Sequence, residues 1–485
     1  MTRTLDSLVA VLRREGLLQS APGKDRPITA LATDSRAVVP GALFLALPGT
    51  QADGHRFVAD AAARGAAAAV VERAVDAALP QVVVASSARA ALVLARDWHG
   101  DPAAHLTLVG ITGTNGKTTT TALVRHLLDD GGTAGTIGTL GAFDGAGRAV
   151  PSTAGSLTTP GPVDLQATLA ALRDRGVTHV AMETSSHSLD QGRLDGLQFA
   201  AGIFTNLTRE HLDYHGTMER YLAAKLRLVD LLADGAPAVV NEDDPAWAVI
   251  ERRPRVSFGR HPDADVRAEA EVLGAGGSRF VLAGRFGTRE VDLPLSGEFN
   301  VANALGAAAC ALSLGHPLDQ VVARLAAAPQ VPGRMERLAA SPCTVLRDYC
   351  HTPDAFERVL ATLRPLTPGR LMILFGCGGD RDRGKRPEMG AIAARLADQV
   401  YLTTDNPRGE DPARIIDDIA AGMGGAPYHR ILDREAAIAA ALGTAAPGDT
   451  LLLAGKGHET YQVIGTEYQP FDEKAIVRAL TGQGS

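Results

Sequence analysis

Gly113-Thr114-Asn115-Gly116-Lys117-Thr118 stands between a short β-rich run at 106–112 and a helical pattern at 119–128. Strand, glycine loop and helix in that order are the setting of a phosphate-binding loop. Glycines let backbone N–H groups turn toward phosphate oxygens, Lys117 adds a point charge, the Thr118 hydroxyl can ligate Mg2+, and a helix N-terminus favours an anion. The strict G-x-x-x-x-G-K-[ST] spacing places a glycine at 111, where Ile111 stands; Gly110 lies one residue earlier and Gly113 inside the loop. With Lys117, Thr118 and Thr119 attached, the segment reads as a nucleoside triphosphate site.

Three further residues could join that chemistry. Glu183 closes the apolar run 177–182, so a carboxylate reaches the Mg2+ region from a neighbouring strand; by itself it reads equally as an N-cap or a loop carboxylate. His211 follows another strand end and offers a nitrogen ligand, although an isolated loop histidine is ordinarily solvated. Leu222, Lys225, Leu226 and Val229 have i, i+3, i+4, i+7 spacing, which puts Lys225 on or beside the apolar stripe of a helix. One reading is a stem snorkelling at the stripe's edge, which spacing by itself favours. The other is a buried amine whose lowered pKa leaves it neutral and able to react.

The elements that must hold these residues follow one grammar. Apolar runs at 177–182, 200–204 and 238–240 each end on polar residues, as in a parallel sheet whose strand ends carry the site. Past Val331-Pro332-Gly333-Arg334, strands at 344–346, 371–375, 400–403 and 451–454 lead into polar stretches at 348–353, 376–386, 405–408 and 455–459. Before Asp101-Pro102, strands at 42–47 and 81–84 flank an alanine-rich helix, and Leu5, Leu8, Val9 and Leu12 mark an amphipathic one. The length of 485 residues suits roughly three domains. The expected class is α/β, with three domains at 1–103, 104–332 and 333–485: a central P-loop doubly wound sheet and a C-terminal Rossmann-like domain among them.

Lys+Arg 48 against Asp+Glu 55 gives a net charge of −7, so no global basic field exists for nucleic acid or an anionic bilayer, and phosphate affinity must be local. No run of about 18 apolar residues suggests a membrane span, and the start lacks a signal-peptide pattern. Cys310, Cys343, Cys350 and Cys377 have no C-x-x-C spacing, which argues against a disulfide framework or structural zinc and for a reducing cytoplasm.

The segments GITGTNGKTT (110–119), METSSH (182–187), NLTREHLDYH (206–215), GEFNVAN (297–303), PGRME (332–336) and DYCHTP (348–353) closely resemble the Mur ligases, in order along nearly the whole chain. Within that family, TDSR (33–36), GTQADG (49–54), DNPR (405–408) and GKGHE (455–459) resemble the members that add the third peptide residue. The resemblance implies an ATP-dependent amide synthesis in cytoplasmic peptidoglycan precursor assembly. It would join meso-diaminopimelate to UDP-N-acetylmuramoyl-L-alanyl-D-glutamate through an acyl phosphate, with ATP and Mg2+, by a monomer needing neither nucleic acid nor membrane insertion.

By that resemblance Gly113, Thr114, Asn115, Gly116, Lys117, Thr118 and Thr119 would hold the ATP phosphates, with Lys117, Lys225 and His211 as the catalytic set. Thr118 and Glu183 would hold one Mg2+, and His211 with Lys225 a second, the lysine being carbamylated from its neutral amine and CO2. Asn303 and Arg334 match positions near adenine and phosphates, and Asp348 and His351 positions near the ribose. Thr33, Ser35, Thr50, Gln51 and Ala52 match the uridine site, and Thr158, Thr159, Ser185, Gln191 and Arg193 the contacts to the nucleotide-sugar peptide. The three segments would then bind UDP, ATP and the amino acid in turn.

Diaminopimelate differs from lysine by one distal carboxylate, for which Arg408 is the natural donor fork, with Asn406 beside it. The family pattern adds Arg381, Asp405, Pro407, Gly455 and Glu459, the last suited to a substrate ammonium. The 405–408 run also suits a turn that caps the following helix. Cys350 stands where alanine is common, placing a thiol near ATP as a candidate for alkylation, and Leu157 where asparagine is frequent. Two alternatives are a folylpolyglutamate synthase-like ligase and a non-ligating ATP-dependent switch. The first is not expected to carry both the 405–408 and 34–36 runs, and the second needs only one set of polar strand ends.

Overall fold

The computed structural model describes residues 2–49, 52–151, 157–252 and 254–482. Met1–Lys117, Leu128–Val240 and Asp244–Arg255 form one compact unit; Thr118–Leu127, Asn241–Asp243 and Val256–Ser485 form another. The α/β class holds throughout, and none of the described helices is long and apolar enough to cross a membrane.

Besides the short antiparallel pair Arg3–Thr4 with Pro27–Ile28, the described residues of the first unit contain strands of two larger sheets. One is five-stranded, in the order Leu18–Ser20, Gln81–Val84, Ala68–Val71, Ala42–Leu45, Ala30–Ala32, parallel except for its first strand. Here the alanine-rich stretch is not one helix: Val58–Ala63 is helical, but Ala68–Val71 is a fully buried strand. A strand covered on both faces loses its alternation, and a short apolar run then resembles a buried helix. The amphipathic helix is Leu5–Arg14, capped by the Thr4 hydroxyl.

In the other sheet, Thr107–Thr112 lies between His179–Glu183 and Ala201–Phe204, with Ala134–Gly138 and Ala238–Asn241 outside them, all parallel. Glu183 pairs with Ile111 and Phe204 with Thr112, so three strands end at one level. The chain leaves Thr107–Thr112 for strands on both sides of it, the switch point where doubly wound sheets bind ligands. Leu108, Met182, Phe204, Leu228 and Trp247 belong to the core behind those ends. Helix Met218–Asp230 starts where the Thr217 hydroxyl accepts the Arg220 N–H, and it buries Tyr221, Ala224, Lys225 and Leu228.

The Val256–Ser485 part of the second unit includes strands that the sequence reading did not anticipate. Val266–Gly274, Gly277–Gly284 and Arg289–Leu293 form an antiparallel meander. Charged residues such as Arg267, Glu269 and Arg279 interrupt its apolar positions, so no continuous apolar run marks it. Beyond helices Glu298–Ser313 and Leu318–Ala326 comes a six-stranded sheet, ordered Glu336–Ala339, Thr344–Asp348, Thr450–Ala454, Leu371–Phe375, Gln399–Leu402, His429–Arg430 and parallel after its first strand. Leu371 to Phe375 are all inaccessible to solvent, as a central parallel strand requires. Helix Pro353–Leu366 has proline at its first position and the Thr352 hydroxyl as cap. Helix Pro412–Ala420 is capped by Asp411, so the 405–408 run does not cap it.

Candidate active site

Two glycines give the phosphate loop its course. Gly113 has φ 144° and Gly116 φ 82°, and a Cβ on Gly113 would lie 1.9 Å from Thr205 Oγ1. The neighbouring strand end then fixes the loop: Thr114 N–H donates to the Asn206 carbonyl (2.7 Å), Asn115 N–H to Asn206 Oδ1 (2.9 Å) and the Thr205 hydroxyl to the Asn115 carbonyl (2.8 Å). Gly116 gives helix Lys117–Leu128 no side-chain cap, so no hydroxyl or carboxylate of its own competes with an anion for the first-turn N–H groups. Thr118 and Thr119 are buried in that first turn.

Lys225 is 1% exposed, which settles its two readings: it is inside, not snorkelling. Its Nζ donates to the Gly113 carbonyl at 2.6 Å and sits 4.4 Å above the Tyr221 ring. Lys117 Nζ donates to the same carbonyl (3.0 Å) and to that of Thr114 (2.7 Å). Burial, with Lys117 adding and Glu210 opposing, holds the Lys225 amine well below the ordinary lysine range. Sequence reasoning missed Tyr221, although it lies one helical turn before Lys225; its hydroxyl is 3.2 Å from Thr114 Oγ1.

Glu183 ends its strand at 1% exposure. Its two oxygens accept from the Thr139 N–H (2.9 Å) and hydroxyl (3.1 Å), and no Lys or Arg side chain reaches it at ion-pair distance among the described residues. A buried carboxylate without a cation fits a hard metal ion, as does the Thr118 hydroxyl. Among the described residues no three His, Cys, Asp or Glu side chains converge into a ready-made metal cage. Mg2+ does not require one, since it commonly keeps waters and phosphate oxygens beside one or two carboxylates.

His211 begins the short helix Leu212–His215 with φ 55°, its side chain 42% exposed. Burial lowers its pKa against Glu210, and the Lys117 and Lys225 charges lower it further. His187, which sequence reasoning quoted without a role, packs 4.9 Å from the His211 ring and 4.3 Å from the Tyr214 ring, and burial with the other histidines takes it down to about 4.

Thr158, Thr159, Ser185, Gln191 and Arg193 do come together. The Thr159 hydroxyl donates to the Glu183 carbonyl (2.8 Å) and accepts from Ser185 N–H (3.2 Å), Thr158 Oγ1 lies 3.3 Å from Thr139 Oγ1, and Arg193 donates to the Thr159 carbonyl (3.1 Å) and Gln191 Oε1 (2.9 Å). Thr33 and Ser35 are half-buried beside Asp34, which caps the turn Ser35–Ala37, and Ala52 is exposed. Thr50 and Gln51 lie outside the described residues.

In the second unit, Arg334, Asp348 and His351 gather around Tyr349. The Arg334 guanidinium lies 4.9 Å from its ring centroid and the His351 ring 4.6 Å away, while Asp348 accepts from the N–H groups of Met335 (2.7 Å) and Cys350 (2.8 Å). Asn303, buried on helix Glu298–Ser313, accepts from the Thr120 hydroxyl at 3.3 Å. Cys350 is buried, and burial with the neighbouring Asp348 pushes its thiol far up, which removes it as a candidate for alkylation.

The loops after the strands of the six-stranded sheet bring together every residue expected there. Asn406 Nδ2 donates to Glu459 Oε2 (2.8 Å), Arg408 donates to the Gly379 carbonyl (2.9 Å), and Gly379 N–H donates to the Asn406 carbonyl (2.9 Å). A Cβ on Gly378 would lie 3.0 Å from Arg408 and 3.7 Å from Arg381, so a glycine is what lets both arginines flank that point. Asp405 and Pro407 are buried, Gly455 has φ 105° with a Cβ position 2.7 Å from Asp405 Oδ2, and Arg381 is exposed. Burial raises the Glu459 carboxyl, against Asn406 and Lys456. Arg408 itself has φ 50°, with its N–H and carbonyl both paired to the hairpin Tyr461–Pro470.

The profiles of three Mur ligase modules match in succession: "Mur ligase family, catalytic domain" at 27–97, "Mur ligase middle domain" at 111–311 and "Mur ligase, glutamate ligase domain" at 333–457. A protein of Mesorhizobium japonicum named UDP-N-acetylmuramoyl-L-alanyl-D-glutamate--2,6-diaminopimelate ligase is 45% identical over 500 residues, covering 98% of each chain. The chain belongs to the Mur ligase family. A Geobacillus kaustophilus protein of the same name is 44% identical over 94% of this Mur ligase and 95% of its own length. A solved structure of a ligase of that name has a TM-score of 0.67 at 34% identity, covering 94% and 95% of the two chains. This Mur ligase is therefore an ATP-dependent, amide-bond-forming enzyme of peptidoglycan precursor synthesis, which removes the non-ligating switch from consideration. Its middle-module match includes the phosphate loop, Glu183, His211, Lys225 and Asn303, and its last match runs from Gly333 to Gly457, two residues short of Glu459.

Proposed function

We propose that this Mur ligase joins meso-diaminopimelate to the D-glutamate carboxylate of UDP-N-acetylmuramoyl-L-alanyl-D-glutamate in the cytoplasm, with segments 1–103, 104–332 and 333–485 serving UDP, ATP and the amino acid. The observation that carries the reading is the loop cluster in which Asn406 meets Glu459 while Arg408 and Arg381 flank Gly378. It offers carboxylate and ammonium recognition side by side, as a second amino-acid centre with its own carboxylate demands.

A carboxylate resists attack by an amine at neutral pH, so the γ-phosphoryl of ATP is first transferred to it. The amine then attacks the acyl phosphate, and the tetrahedral intermediate expels phosphate, leaving the tripeptide with ADP and Pi. Phosphoryl transfer is mainly positioning and charge neutralisation. Gly113 to Thr119 serve that role toward ATP, and Lys117 can exchange its two loop carbonyls for phosphate oxygens. Thr118 and Glu183 would hold one Mg2+ and His211 with Lys225 a second, supplying charge for the transferred group. The neutral amine favoured by the Lys225 site is the form that adds CO2; with release of one amine proton this gives a carbamate, an anion where an ordinary lysine would place an ammonium. Asn303 and Arg334 are assigned near the adenine and phosphates, Asp348 and His351 near the ribose, and Thr33, Ser35, Thr50, Gln51 and Ala52 at the uridine. Thr158, Thr159, Ser185, Gln191 and Arg193 are assigned to the muramoyl peptide.

Lysine would leave Arg408 facing no anion in a closed site, a loss that can discriminate by orders of magnitude. In a competition of lysine with meso-diaminopimelate read by mass of the ligated product, the diaminopimelate tripeptide is expected to dominate. Equal kcat/KM for the two amino acids would refute the specificity, and a glutamate-accepting activity would favour the folylpolyglutamate alternative.

A further inference from the structure

Lys456 lies inside the GKGHE segment, between Gly455 and Glu459. It is 0% exposed. Its ammonium is 3.1 Å from Asn406 Oδ1, 3.5 Å from Asp405 Oδ1 and 3.6 Å from Glu459 Oε2, with the Tyr461 and Phe471 rings each 6.0 Å away. A lysine is rarely wholly buried, and burying one without opposite charges is costly. Here it faces two carboxylates and an amide oxygen.

The hydrogen bonds leave the Asn406 amide one orientation. Its Oδ1 accepts from both Lys456 Nζ and the Val463 N–H (3.0 Å), two donors that an inverted amide would oppose with its own NH2. Nδ2 must therefore face Glu459 Oε2, at 2.8 Å. Glu459 Oε2 is thus engaged by Asn406 and approached by Lys456, while Oε1 accepts no hydrogen bond among the described residues. Lys456 with Asp405 and Glu459 leaves one negative charge over, which one arriving ammonium balances.

We propose that Lys456 is a positioning residue for amino-acid selection: its buried ammonium locks Asn406 and orients Glu459, so that Glu459 Oε1 is presented to the ammonium of the incoming amino acid. The inference rests on the assignment of Asn406 and Glu459 to that substrate. The charged and titratable groups facing Glu459 are Lys456 on its own turn, Asp405 from the loop after Gln399–Leu402, Tyr349 from the loop after Thr344–Asp348, and Tyr461 from the hairpin. Of these, Lys456 favours ionised Glu459 and Asp405 opposes it. Loss of the ammonium therefore moves ionisation of Glu459 to higher pH.

The test is steady-state kinetics of the full chain as Lys456→Met, Lys456→Gln and Glu459→Gln. Lys456→Met is expected to raise KM for meso-diaminopimelate about tenfold or more, leaving KM for ATP and for the UDP-dipeptide unchanged. The acidic limb of its kcat/KM profile should move up by about one pH unit. Lys456→Gln keeps an N–H toward Asn406 without the charge, so it should raise KM less and move the limb equally. That second variant decides the matter if Lys456→Met fails to fold. An unmoved limb and unchanged diaminopimelate KM in folded Lys456→Gln, or an equal KM rise for all three substrates, overturns the proposal. If Glu459→Gln raises the diaminopimelate KM while the Lys456 variants do not, only the role of Lys456 falls. If Glu459→Gln also leaves that KM unchanged, the amino-acid assignment falls with it.

Discussion

Around Gly113 this Mur ligase positions charge with backbone atoms; around Glu459 it does so with buried side-chain ions. The phosphate loop is one continuous stretch held by carbonyls and N–H groups of the adjoining strand end, and its lysines rest on loop carbonyls. The loops proposed to take the amino acid follow separate strands and are tied by ion pairs centred on buried arginines. Arg434 and Glu473 are both 0% exposed at 2.7 Å, and Arg434 also donates to the carbonyl of Ala454, the residue before the 455–459 loop. Arg386 binds Glu410 (2.9 Å) and Asp418 (2.8 Å), while Glu410 accepts from Asp380 N–H and so joins the 376–386 and 405–410 loops. Phosphate is common to every nucleotide enzyme and can be met by backbone; a particular amino acid needs side chains, and these need their own supports.

The contrast can be broken most forcefully at Lys225. Lys225→Ala is expected to lower kcat on the order of 10²–10³-fold in a phosphate-release assay, with partial restoration by bicarbonate or a short carboxylic acid. Unchanged activity would refute the metal role proposed for it. Glu473→Ala, in contrast, leaves Arg434 charged, buried and unpartnered by its carboxylate, and should cost about 3–5 kcal/mol of stability in denaturant unfolding. Stability equal to the parent's would show that the amino-acid loops do not depend on that pair.

The smallest effect is expected at Glu336. Burial alone would raise its carboxyl, but Arg347, the Gly333 N–H and Lys474 together hold it below the ordinary 4.5. A depressed folded-state pKa contributes stability that is present above about 4.5 and lost as pH falls through the folded value. Melting temperature should therefore decline in acid, and Glu336→Gln should flatten that decline; an identical slope in the variant would contradict the sign.

Contiguity explains what could be read in advance. The loop at 113–119, the strand-end carboxylate Glu183 and the central parallel strands all leave a local pattern, and their places in the structure follow it. Lys225 left half a pattern: helical spacing put it on the stripe, but only burial distinguished a core amine from a snorkelling one. Strand Ala68–Val71 and the meander at 266–293 were not legible, the first because full burial removes alternation, the second because charged residues break up its apolar positions. Lys456 and Arg386 were invisible as site supports for another reason: a basic residue in a loop or at a helix start is ordinarily solvated, and what buries these two is sequence-distant.

The left-handed backbone at Arg408 bears on how the amino-acid preference proposed for it could be recoded. With φ at 50°, that position suits glycine or asparagine better than any β-branched residue. Exchanging the guanidinium for a bulky apolar group would therefore strain the loop and the hairpin pairing as well as change the pocket. A library at residue 408 alone should return mostly small or amide side chains, and wider changes of substrate should require compensating mutations in Tyr461–Pro470, the hairpin to which its backbone is bonded.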